Sequence, residues 1–268
     1  MIDFLLDPTT LMLIAAALIA GIIDSIAGGG GLITVPALYL GLGGSPVAAL
    51  GTNKLQSLFG SLSATIAYAR AGHVDLKSQG WEALLAFAGG LLGALLATKL
   101  PKEVLTAFLP ILLVSVALYF ALKPNIGDVD RTRRMGQFLF TMTIPPLIGF
   151  YDGVFGPGTG SFFMLAFVSL AGFGMLKATA HTKLLNFSSN IGGFAAFAAV
   201  GVVNWKIGLV MGVAQFIGAQ IGARLTMKIG TKLIKPLLVI ICTILAIKLM
   251  LEPDNPLNHF IRSVFNPS

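Results

Sequence analysis

Charge is what this sequence has least of: Asp, Glu, Lys and Arg make up 11% of its 268 residues, against roughly 25% in soluble domains. With 56% hydrophobic content and a mean hydropathy of +0.88, that scarcity excludes an ordinary water-soluble globule. Cysteine is almost missing too. Cys242 stands alone in an apolar stretch, which excludes an intramolecular disulfide or a thiolate metal cluster and leaves it a packing role. The three histidines, His73, His181 and His259, do not fall at metal-ligand spacing. No Ser/His/Asp order in sensible context and no nucleotide-binding loop occurs, so neither an enzyme nor a cofactor is expected. Residues 1–8 carry Asp3 and Asp7 and no basic residue, unlike the n-region of a cleaved signal peptide. The first apolar segment is therefore expected to stay in the mature protein.

What is present is a series of apolar runs, at 11–27, 32–42, 47–69, 81–98, 104–122, 138–155, 161–170, 176–200, 207–225 and 234–251. Their order is long, short, long, long, long, twice over. At ~1.5 Å per residue the long runs reach roughly 25 to 35 Å, enough to cross a bilayer, and the short ones only about 15 Å. The two halves repeat. Gly21-Ile22-Ile23-Asp24-Ser25 aligns with Gly149-Phe150-Tyr151-Asp152-Gly153, and Gly28-Gly29-Gly30 with Gly156-Pro157-Gly158. After a one-residue slip, Gly51-Thr52-Asn53-Lys54-Leu55 aligns with Ala180-His181-Thr182-Lys183-Leu184. The chain thus divides into a first repeat (1–122), a polar linker with three arginines (123–137), a second repeat (138–251) and a tail (252–268).

Charge decides between two topologies. If each long-plus-short pair makes one crossing, the 16 loop and terminal basic residues, all but Lys54 and Lys183, divide 9 to 7, which is no bias. If each pair is a re-entrant hairpin followed by three crossings, the copies are inverted and the division becomes 11 to 5. The second agrees with the positive-inside rule. The expected fold is therefore all-α and polytopic, with two inverted repeats, both termini outside and the linker in the cytoplasm of a multi-pass inner-membrane protein. The net charge of +7 belongs to cytoplasmic loops on this reading, not to a nucleic-acid partner. Small residues one turn apart, Gly89, Gly90 and Gly93 with Ala94, and Gly218, Gly222 and Ala223, permit close helix contact in lipid. They serve packing inside the bundle, with a face between two copies as the alternative.

The glycine runs Gly28 to Gly31 and Gly156 to Gly160 break their helices inside apolar surroundings, where irregular backbone survives only if packed in protein or lining a polar cavity. A half-helix starting near Leu32 or Ser161 would aim unsatisfied N–H groups at an oxyanion, which nominates Gly29, Gly30, Gly31, Gly158, Thr159 and Gly160. Lys54 and Lys183 sit at equivalent positions inside apolar helices. A central lysine costs at least about 2.5 kcal/mol on insertion scales, so each needs a carboxylate, backbone oxygens or an anionic ligand. Asp24 and Asp152 precede the breaks and either neutralise the lysines or carry a coupling proton that releases a lysine for the anion. Asn53, Ser57 and Ser61, and Thr182, Asn186 and Asn190, recur every fourth residue as polar stripes on the lysine-bearing helices, with Thr52 and His181 beside them. Ser188, Ser189, Gln215 and Gln220 are further polar candidates, and interhelical glue is the alternative role for about half of these groups.

These residues resemble a known family. Gly21-x-x-Asp24-x-x-Ala27-Gly28-Gly29-Gly30, Gly51-Thr52-Asn53-Lys54, Gly149-x-x-Asp152-Gly153-x-x-Gly156-x-Gly158 and His181-Thr182-Lys183 are similar to the motifs of TauE/SafE sulfite-exporter-like permeases, over residues 10–250. The resemblance implies transport of small sulfur-containing or carboxylated anions such as sulfite, sulfoacetate or thiosulfate, coupled to the proton gradient and independent of ATP. Pro157 and Thr159 depart from the glycine pattern of the first break, which puts the symmetry of the two ligand contacts in doubt. A membrane scaffold whose buried charges only pair with one another is the alternative from another class.

Overall fold

The computed structural model describes residues 2–43, 45–74, 77–100 and 129–229, with isolated positions between 114 and 122 and between 236 and 247. Helices are the regular structure among the described residues: α1 (Ile2–Leu6), α2 (Pro8–Ala27), α3 (Gly31–Gly41), α4 (Pro46–Arg70), α5 (Gly80–Ala97), α6 (Gln137–Val154), α7 (Thr159–Ser169), α8 (Met175–Ala199) and α9 (Trp205–Ile229). The apolar runs expected at 104–122 and 234–251 lie outside the described residues, apart from isolated positions, as do 123–128 of the linker and the tail. The helix starts follow from local chemistry. Asp7 accepts a hydrogen bond from the Thr10 N–H at 3.0 Å, and Pro8 supplies a first-turn residue that needs no donor. Ser45 and Pro46 open α4 in the same way.

α2, α5 and α9 are long and apolar enough to cross a membrane, and α3 and α7 are short apolar helices of 11 residues each. The distribution of side chains is that of a lipid-facing bundle. Leu92, Leu147, Ile217 and Ile221 are exposed, while Lys54, Lys183, Thr52, Gln56 and Ser189 are buried.

The helices interlock across the repeats. α2 packs on α9 and α5 on α6; α4 packs on α9 and α5 on α8; α4 and α8 meet at the centre. Exchanging the two repeats turns each of these pairings into another of the set. Glycines make the contacts possible. Gly89 and Gly93 lie against the backbone of Pro146 and Phe150, and Gly218 and Gly222 against that of Leu18 and Ile22, so closely that a Cβ would overlap a carbonyl oxygen. The small-residue stripes are thus spent inside the bundle.

Each short helix folds back along its long predecessor. Gly41, at the end of α3, lies against Leu13 and Thr9 at the start of α2. In the second half, the ring pairs Phe140–Phe167 (5.3 Å) and Tyr151–Phe162 (4.9 Å) hold α6 and α7 in the same relation. α4 and its counterpart α8 cross in opposed directions, Gly51 meeting Phe197 while Lys54 meets Gly193.

Candidate functional site

The two helix breaks meet. Gly28 adopts φ 78°, a left-handed conformation that ends α2 and turns the chain back; Gly156 (83°) and Gly158 (84°) do the same after α6. A Cβ on Gly28 would stand 2.4 Å from the carbonyl carbon of Gly160, so the two breaks touch backbone to backbone. Ser161 Oγ, from the second break, donates to the Ala27 carbonyl of the first at 3.0 Å.

Around this contact the charges are exchanged between repeats. Lys54 Nζ of α4 lies 2.8 Å from Asp152 Oδ1 of α6. Lys183 Nζ of α8 donates to the backbone carbonyl of Asp24 in α2 and stands 3.8 Å from its Oδ2. Both lysines are buried. A buried charge needs a partner, and each repeat supplies the partner for the other. The carboxylates also answer the positive ends of the short helices. Asp24 Oδ1 accepts from the Gly30 N–H at 3.1 Å at the start of α3, and Asp152 Oδ1 accepts from Thr159 Oγ1 at 2.8 Å at the start of α7.

A polar cleft lies between the breaks. Asp24 and Asp152 line it, with Gly28 and Gly31 from the first break and Gly156, Gly158, Thr159 and Gly160 from the second. Asn53, Ser57 and Ser61 of α4 and Asn186 and Asn190 of α8 complete the wall, so both polar stripes converge here. Lys54 and Lys183 stand behind their carboxylates and do not line the cleft. Gly29 lies in the first break, and Gly30 is held by Asp24. Thr52 lies elsewhere: its Oγ1 accepts from the Asn204 N–H at 2.9 Å. His181 packs among Phe173 (4.9 Å) and Phe167 (5.7 Å). Thr182 is buried on α8 outside the cleft lining.

Other polar groups hold helices together. Gln220 Nε2 donates to the Ser63 carbonyl at 2.8 Å and Gln215 packs on Gly60, whereas Ser188 donates to the Leu184 carbonyl within its own helix. Two positioning residues escaped the sequence reading. Asn53 Oδ1 accepts from Thr34 Oγ1 at 2.6 Å and from Gln56 Nε2 at 3.0 Å, which fixes its amide toward the cleft. A threonine three residues into an apolar half-helix was the available signal. Glu82 escaped as well. It is buried between α5 and α6, where it accepts from Gln137 (2.8 Å), Thr141 (3.1 Å) and Gln79 (3.2 Å).

Outside the bundle, the linker is pinned to the second half. Asp130 accepts from the Gly174 N–H at 2.8 Å and from Lys177 Nζ at 2.6 Å. These bonds, the Gly174 one foremost, hold its carboxyl below the ordinary carboxylate range. Among the described residues there is no group of three or more His, Cys, Asp or Glu able to hold a metal.

Broken apolar helices that bring paired buried charges to a shared polar cleft define a membrane transporter. The comparisons agree and go further. The family model described as sulfite exporter TauE/SafE matches residues 13–249, and the chain belongs to that family. It is 63% identical over 249 residues to the probable membrane transporter protein ORF9 of Sinorhizobium sp, covering 93% of this chain and 95% of that one. It is 48% identical over 250 residues to the probable membrane transporter protein YfcA of Escherichia coli (strain K12), covering 93% of each. A probable membrane transporter protein of Haemophilus influenzae is 42% identical over 241 residues, covering 90% of this chain and 94% of that one. No solved structure matches the chain.

Proposed function

We propose that this protein is a secondary transporter of small organic or sulfur-containing anions, of the sulfite, sulfoacetate and thiosulfate class, working by alternating access at the cleft between two inverted repeats. The observation that carries this reading is the exchange of charge pairs around the touching breaks: Lys54 with Asp152, and Lys183 with Asp24. A lysine held by a carboxylate from the other repeat is released when that carboxylate takes a proton, and the released ammonium then has an anion as its best partner. Proton and anion would load together. The N–H groups at the starts of α3 and α7, with Asn53, Ser57, Thr159 and Asn186, would orient the oxyanion. Opposed α4 and α8, and short helices that turn back along α2 and α6, support inverted repeats with re-entrant hairpins, both termini outside and the linker in the cytoplasm of an inner-membrane protein.

A membrane scaffold would need the same buried pairs but no cleft between them. Thermal unfolding of the purified protein separates the two. Stabilisation by sulfite, sulfoacetate or thiosulfate, lost in Lys54→Ala or Lys183→Ala, is the expected result. No shift with any anion of a broad panel would reject the transporter reading in favour of the scaffold.

A further inference from the structure

We propose that the strap at residues 130–135 and the start of α6 bind the headgroup of an anionic phospholipid, its phosphate held by Arg133 and Arg134 beside exposed Trp81 and Phe138. This goes beyond the transport reading and does not rest on it.

The strap is fixed to the bundle through its backbone. The Arg131 N–H donates to the Gly172 carbonyl at 2.6 Å, and those of Arg134 and Met135 donate to the Leu170 carbonyl at 2.9 and 3.1 Å. Gly172, at φ 75°, lies so close that a Cβ would stand 2.4 Å from the Arg131 carbonyl oxygen. Side chains fix it further. Arg133 Cζ stands 5.9 Å from the Phe140 ring centroid and 6.0 Å from that of Phe173, which also takes Lys177 Nζ at 4.3 Å. The basic groups are therefore gathered on one aromatic surface.

What this cluster lacks is a free acid. Asp130 is spent on the Gly174 N–H and Lys177, and Glu82 on Gln79, Gln137 and Thr141. Among the described residues no carboxylate pairs with Arg133 or Arg134, and Arg133 Nη1 is buried with no acceptor. The rings answer part of the guanidinium charge but supply no oxygen for its N–H groups. Arg134 is exposed. A planar guanidinium matches two oxygens of a phosphate, so two adjacent arginines suit a phosphodiester.

The surroundings select a lipid over a soluble phosphate. Trp81 (71% exposed) and Phe138 (78%) stand at the starts of α5 and α6, which pack together and are joined there by the Gln137–Glu82 bond. Exposed Leu139 and Met142 continue the apolar surface along α6. Exposed aromatic rings at the heads of apolar helices mark a membrane–water boundary. Arg133 and Arg134, just ahead of α6, then lie at headgroup depth. A lipid phosphate brings acyl chains that cover Phe138 and Leu139, which a free ion cannot do. This is also the basic end of the bundle. The ends of α4 and α9 and the start of α8 meet where Ala69, Leu176 and Met227 pack in one cluster, so Arg70, Arg224 and Lys228 share this end, against Lys99 and Lys206 at the other. Such an end attracts an anionic leaflet.

The test is thermal unfolding of the purified full-length protein in a neutral detergent, with phosphatidylglycerol, phosphatidylcholine or inorganic phosphate added. A saturable rise in melting temperature with phosphatidylglycerol is expected, well above that with phosphatidylcholine, falling as salt is raised and absent with inorganic phosphate. Arg133→Gln with Arg134→Gln should lose most of the difference between the two lipids. Arg224→Gln with Lys228→Gln, at the same end on α9, should keep it. Equal rises with both lipids overturn the proposal. An equal loss in the two double variants also overturns it, because overall charge would then be the cause. A rise with inorganic phosphate as large as that with phosphatidylglycerol overturns the lipid in favour of a free ion. Should the Arg133 variant fail to fold, Arg134→Gln decides alone, since that exposed side chain makes no bond among the described residues, and an unchanged lipid difference overturns the site. The anion panel and this lipid test use different ligands and different surfaces, so failure of one leaves the other standing.

Discussion

The two halves of the cleft use the same parts with different tightness. In the first half, four consecutive glycines form the break, and Asp24 stands 3.8 Å from Lys183 with its side chain 13% exposed. In the second, Pro157 and Thr159 interrupt the glycines, and Asp152 lies 2.8 Å from Lys54 at 3% exposure. One substitution accounts for much of the difference. The position held by Gly31 in the first repeat is Thr159 in the second, and its hydroxyl reaches the carboxylate that Gly31 cannot. The linker adds to this by tying Asp130 to Gly174 and Lys177 at the start of α8. The comparison teaches that a sequence repeat becomes one stiff half and one yielding half through a few side chains, while the helix scaffold stays symmetric.

The largest effect should come from the tight pair. Lys54→Ala leaves Asp152 buried without its cation, which costs about 3–5 kcal/mol in buried pairs. Lys183→Ala should cost less, because Asp24 is partly exposed and keeps the Gly30 N–H. Unfolding in detergent compares the two, and equal losses would break the stiff-and-yielding distinction. Replacing the pair together, Lys54→Met with Asp152→Leu, should recover most of the single-variant loss.

The glycines sharpen the comparison from the backbone side. Gly28→Ala carries the left-handed penalty of about 1–2 kcal/mol and also drives a methyl into Gly160. Gly156→Ala carries the same penalty, but its nearest neighbour is Lys54 Nζ at 3.4 Å, the end of a flexible side chain. Melting temperatures should rank Gly28→Ala well below Gly156→Ala.

Thr159→Ala tests the hydroxyl itself, with a loss of about 1 kcal/mol and a second half that approaches the first in behaviour. The smallest effect belongs to Asp130. Its carboxyl titrates below its unfolded value of about 3.9, so its contribution is present above that value and is lost as pH falls through the folded one. Being largely exposed, the contact should be worth less than about 1 kcal/mol. Melting curves of wild type and Asp130→Asn should differ at neutral pH and converge in acid.

Much of this arrangement could be read from the chain. Glycine and proline punctuation placed the helix limits of α2, α3, α4, α5, α6, α7 and α8 within three residues, because breaks in apolar helices are local events. α9 extends to Ile229, past the expected end at 225, and carries Lys228 in its last turn. The polar stripes at 53, 57 and 61 and at 186 and 190 converge on the cleft because fourfold spacing fixes a helix face. Partner choice was not legible. Lys54 could have met Asp24 of its own repeat or Asp152 of the other, and sequence symmetry is the same for both. The choice follows from α5 packing on α6 and α9 on α2, a tertiary fact set by glycine-to-backbone contacts between those helices. Glu82 was hidden for a similar reason: two of its three donors, Gln137 and Thr141, come from α6.

The most direct test of the transport reading is flux into proteoliposomes carrying the purified protein. Sulfite, sulfoacetate, thiosulfate and simple carboxylates are offered with and without a pH gradient. The account predicts saturable movement of at least one sulfur-containing anion that grows with the gradient, is lost in Lys54→Ala, and loses its pH dependence in Asp24→Asn or Asp152→Asn. Flux of no anion in the panel, or flux indifferent to Lys54, would contradict it.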